Sequence, residues 1–74
     1  MDKITQQKLE MWRKKESELQ EKLSKTMLEK GIEAAKGDLS ENAGYQLLTE
    51  DAETIRVQLA NLRKIIQDLE KGMK

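Results

Sequence analysis

The sequence contains no cysteine and no histidine. Those absences remove thiol nucleophiles, imidazole bases, disulfide staples and the usual zinc ligand sets. Any chemistry must come from carboxylates, hydroxyls, Lys, Arg or the single tyrosine, Tyr45. Proline and phenylalanine are missing too, and Trp12 and Tyr45 are the only aromatic residues. No apolar run approaches the roughly 20 residues that a membrane span needs, and the N-terminus has no apolar signal segment. A cytoplasmic protein with no membrane partner is therefore expected. Net charge is also lacking: fourteen basic and fourteen acidic residues cancel, which leaves no bulk pull toward nucleic acid or membrane. What remains is 74 residues, 38% of them charged, with the composition of a long helix or coiled coil. That length is one small domain at most, too short to build a generous core.

Four glycines punctuate the chain, and Gly37, near the midpoint, opens the one stretch that reads as a turn. On either side, arms of about 5–36 and 41–72 are rich in good helix formers. The second arm carries Tyr45, Leu48, Ala52, Ile55, Leu59, Leu62, Ile66, Leu69 and Met73 at alternating steps of three and four, a sustained heptad pattern. In the first arm Leu9, Trp12, Glu16, Leu19 and Leu23 keep that rhythm with one polar lapse. The apolar residues then move to Leu28, Ile32, Ala35 and Leu39, which predicts a stutter near Thr26. Folding the chain back at Leu39 sets Leu9 against Leu69, Trp12 against Ile66, Leu19 against Leu59 and Leu23 against Ile55. Glu16 against Leu62 is the exception. The expected fold is all-α: a long antiparallel helical hairpin, a two-helix coiled coil with an acidic tip loop at 37–40. Each arm of about 30 residues spans roughly 45 Å.

About a dozen half-buried apolar side chains, at about 1.5–3 kcal/mol each at most, barely offset the ordering of such a chain. Self-association through Ile4, Met11 and Met27, or a partner domain, is therefore expected. Glu10, Glu18 and Glu21 each precede a lysine by four residues, namely Lys14, Lys22 and Lys25, in the order that supports a helix. Arg13, Lys14 and Lys15 fall beside Arg63 and Lys64 in the hairpin register and form a basic patch on the stem. Such a patch reads first as a solvated face.

The tip is different. Residues 37–51 hold Asp38, Glu41, Glu50 and Asp51 with no Lys or Arg, while the arms on both sides carry a small basic excess. Asp38 and Glu41 have two readings. Asp-x-x-Glu before a helix is a capping box, and Ser40 is an alternative N-cap. Two carboxylates on a convex end also suit a shared divalent cation, since Mg²⁺ takes one or two protein carboxylates and completes its shell with water and phosphate. A protruding turn has no cavity to exclude water, so it is better suited to completing another protein's site.

The run Gly37-Asp38-Leu39-Ser40-Glu41-Asn42-Ala43-Gly44-Tyr45 closely resembles the tip of the Gre family of transcript cleavage factors, whose pattern is Gly-Asp-Leu-x-Glu-Asn-Ala-x-Tyr. It also lies where that family places it, at the turn of a long antiparallel coiled coil. The resemblance implies a coiled coil that enters the secondary channel of a backtracked bacterial RNA polymerase. Asp38 and Glu41 would then help hold the second Mg²⁺, shared with the polymerase and not tightly bound, and orient the water that cleaves the extruded RNA 3′ segment. On this reading the protein is not an enzyme but stimulates the polymerase's own nuclease. Ser40, Asn42 and Tyr45 would support the tip or contact RNA, and Tyr45 also lies on the apolar seam. The basic patch is loosely comparable to one that guides extruded RNA. Gre factors carry a C-terminal globular domain as well, and the 74 residues are read as a single coiled-coil domain without it. Two other readings stay open. One is a channel-occupying regulator that inhibits polymerase without cleavage; the other is a plain coiled-coil interaction module.

Overall fold

The computed structural model of the chain describes residues 2–37 and 42–72. Two helices account for almost all of them, α1 over Lys3–Ala34 and α2 over Ala43–Lys71. They pack antiparallel as a rod with extents of 54 × 14 × 13 Å, which is the expected hairpin. Among the described residues no helix is long and apolar enough to cross a membrane.

Helix α1 starts earlier than the apolar pattern suggests because Asp2 caps it. Asp2 is extended, and its Oδ1 accepts a hydrogen bond from Thr5 N at 2.7 Å. That bond satisfies one of the free N–H groups of the first turn and favours the ionised carboxylate. At the other end Lys36 N donates to Glu33 O and Gly37 N to Ala34 O, winding the last turn tight. Gly37 then takes φ +123°, a conformation essentially reserved for glycine.

The seam is built from one hydrophobic cluster. Leu9, Leu19, Ile55, Leu59, Leu62 and Ile66 are buried, with Trp12, Leu23 and Leu69 packed against them. All eight residues of the four expected apolar layers belong to it. The polar lapse at Glu16 is resolved across the interface, where Arg63 Nε donates to Glu16 Oε2 at 3.1 Å.

The expected stutter is absent, which corrects the reading of the first arm. Leu28 and Ile32 are 69% and 55% exposed and leave the seam, and Leu39 lies outside the described residues. The heptad instead runs on in phase through Thr26, Lys30 and Glu33, which are buried or half-buried. The reason lies in α2. Its own seam is uninterrupted from Tyr45 to Leu69, so the partner helix can match it only by keeping the same period. Thr26 is tolerated at 8% exposure because its Oγ1 donates to Lys22 O at 2.9 Å. The stem lysines also differ from expectation: none of the Glu10–Lys14, Glu18–Lys22 and Glu21–Lys25 pairs closes. Among the described residues the ion pairs within one arm are Glu53–Arg56 in α2 and Glu33–Lys36 at the end of α1, each three residues apart.

Candidate functional site at the tip

The proposed acidic pair, Asp38 and Glu41, and Ser40 between them lie outside the described residues. The described structure supplies the neck on either side, and that neck is tightly organised. Asn42, not Asp38 or Ser40, is the N-cap of α2. It is extended, and its Oδ1 accepts from Tyr45 N at 2.9 Å. The capping role expected of Asp38 or Ser40 is therefore corrected: the cap is filled by the next polar residue along.

Asn42 does more than cap. Its Nδ2 donates to Glu33 O at 3.1 Å and lies 3.3 Å from Glu33 Oε2. One amide side chain thus closes the end of α1 onto the start of α2, and only one amide orientation satisfies both ends. Glu33 Oε1 accepts from Lys36 Nζ at 2.8 Å. The bond from Lys36, followed by that from Asn42, holds the Glu33 carboxyl below its ordinary value. Gly44 completes the arrangement. A Cβ there would stand 3.3 Å from both Asn42 Oδ1 and Glu33 Oε2, so a side chain would press on the two groups that form the clasp.

Tyr45 is half-buried on the seam, and Lys30 Nζ lies 5.1 Å from its ring centroid. This is a cation–π distance and explains how a lysine occupies a seam position: its ammonium faces the π-cloud of the ring. Met27, Gly31 and Ala34 line a shallow pocket with Lys30 and the tyrosine. Tyr45 therefore packs in the hairpin, whatever else it touches in a complex.

The five cations of the expected basic patch occupy three settings. Arg13 pairs with Glu70 at 2.9 Å and Arg63 with Glu16 at 3.1 Å, both on one flank of the hairpin. Lys14 and Lys64 follow them toward the outer faces, and Lys15 lines a groove on the opposite flank. Sequence reasoning missed Glu33, Lys30 and Lys36 as parts of the neck. Continuing the heptad through polar residues would have placed the first two there. No family model, curated protein or solved structure matches the chain.

Proposed function

We propose that the chain is a Gre-type coiled coil that enters the secondary channel of bacterial RNA polymerase and stimulates cleavage of backtracked RNA. The observation that carries this reading is the nine-residue tip sequence at the turn of a slender rod. Three of its residues, Asn42, Gly44 and Tyr45, have local roles in the described neck that account for their presence. Gly37 supplies the turn backbone. With Asn42 as the N-cap of α2, that position does not call on Asp38 or Glu41, and the proposal assigns their carboxylates to chemistry.

That chemistry needs a partner. Two carboxylates fit part of a Mg²⁺ shell, with water and RNA phosphate supplying the rest. The polymerase's own carboxylates would hold the first ion, and Asp38 and Glu41 the second. In two-metal phosphodiester hydrolysis the paired ions stabilise the attacking and leaving oxygens. The hairpin contributes by delivering two anions on a rigid stalk to a place already shaped for the reaction.

The test adds the protein to stalled, backtracked elongation complexes. Short 3′ RNA fragments are expected, and Asp38→Asn or Glu41→Gln should abolish them. Absence of cleavage at high protein concentration would refute the proposal.

A further inference from the structure

The two flanks of the hairpin are chemically unlike. One is closed by contacts that cross between the helices: Arg13 to Glu70, Arg63 to Glu16, and Arg56 Nη2 to Met27 Sδ at 3.6 Å. On the other flank no such crossing ion pair forms among the described residues. There the helices part into an open groove of about 380 Å³. Trp12, Leu19, Leu62 and Ile65 form its apolar floor, and Ile65 is left 39% exposed. Lys15 and Lys22 stand along the α1 rim, and Gln58 and Asn61 along the α2 rim.

We infer that this groove docks an acidic amphipathic helix from another protein, which completes a three-helix bundle. Three observations select that occupant. The floor is apolar, as a helix-in-groove contact requires. No carboxylate lines the groove, and neither lysine is ion-paired: Asp51, which lines the adjoining cleft with Lys22, does not pair with it, and no acid stands beside Lys15 in either lining. Lys15 and Lys22 are also seven residues apart on one helix, about 10 Å along its axis. Carboxylates two turns apart on an incoming helix match that spacing, on the border of an apolar stripe. A second copy of this chain fits less well, because a two-fold contact presents the same lining again, which holds no carboxylate to pair with the lysines. An RNA strand would satisfy the lysines and leave the apolar floor unused. The inference does not depend on what the tip does.

Trp12 is the sole tryptophan and lies in the groove, so its fluorescence reports occupancy directly. Two tryptophan-free synthetic helical peptides share one leucine stripe; one carries Glu at seven-residue spacing along its border, the other Lys. The Glu peptide is expected to shift Trp12 emission saturably, to bind at least about tenfold tighter than the Lys peptide, and to weaken as salt rises. Lys15→Glu with Lys22→Glu should reverse the preference, and Lys15→Gln with Lys22→Gln should erase it, both with helix content retained by circular dichroism. Equal binding of the two peptides, or no saturable shift, overturns the inference. So does a short single-stranded RNA that displaces the Glu peptide. Sedimentation showing a dimer of the protein alone that the same lysine changes dissolve would assign the groove to a second copy and overturn it as well.

Discussion

Asn42 spends one side chain on both ends of the turn, accepting from Tyr45 N and donating to Glu33 O. Asn42→Ala removes the cap and the clasp together, and a lost cap alone costs about 0.5–2 kcal/mol. Its melting midpoint by circular dichroism should drop clearly. Asp38→Asn and Glu41→Gln should leave the midpoint where it is while removing cleavage, because the N-cap of α2 is Asn42. A comparable fall in melting for the tip variants would return Asp38 and Glu41 to a capping role. Glu33 adds a pH signature. Its carboxyl, stabilised as the anion by Lys36 and then Asn42, titrates lower in the folded chain than its usual 4.5. Asp2 behaves likewise below its usual 3.8, through the bond from Thr5 N. The unfolded chain therefore binds these protons first as pH falls. The stability they contribute is present above those ordinary values and is lost as pH drops through the lower, folded ones. Glu33→Gln should flatten the acid limb of a pH–melting curve near the Glu value while leaving the Asp2 share.

On the scale of the helices, the question is which residues α1 turns toward α2 in its second half. An in-phase heptad makes Thr26 a seam residue and leaves Leu28 and Ile32 in solvent; a stutter would do the reverse. Leu28→Lys with Ile32→Lys should therefore change stability by no more than about 0.5 kcal/mol for each site, as exposed substitutions do. Thr26→Lys should be severely destabilising, since it forces a charge into a site with 8% exposure. Thr26→Val should hold or raise the midpoint, because a methyl replaces a hydroxyl that bonds within its own helix, at Lys22 O. Urea unfolding of the three variants decides between the two phases. This is also where the sequence was hardest to read. The α2 seam was legible throughout, because every three-four step from Tyr45 to Leu69 lands on an apolar or aromatic residue. The α1 seam was legible only to Leu23. Beyond it, Thr26, Lys30 and Glu33 face the partner by virtue of their stems and hydrogen bonds, and nearby leucine and isoleucine on the outer faces imitate a shifted stripe. At the tip the nine-residue pattern located the turn, but Asp-x-x-Glu drew the cap upstream of Asn42.

At the scale of the whole rod, stability and occupancy are linked. A two-helix hairpin has one seam and no second layer, so a third helix on the open flank would supply apolar contact that the chain cannot make with itself. Ile4 and Met11, both well exposed, lie on that same side of α1 and lengthen the apolar track beside Lys15. Any ligand that binds the folded chain and not the unfolded one stabilises it by mass action, by about 2.7 kcal/mol at a free concentration one hundred times its Kd. For a domain of this size, about 1 kcal/mol moves the melting midpoint by roughly 4–8 °C. The Glu-bordered peptide at that excess should therefore raise the midpoint by about 10–20 °C, in proportion to the logarithm of its concentration, and the Lys-bordered peptide far less. Trp12→Ala would lower the midpoint of the free protein and also shrink the increment, whereas Met27→Ala, on the closed flank, should leave the increment intact. An increment unchanged by Lys15→Gln and Lys22→Gln would mean that the peptide stabilises the rod from some other face. Because the groove lies along the stem and the acidic pair at its end, saturating peptide should raise the midpoint of the Asp38→Asn variant by the same amount as that of the unaltered chain.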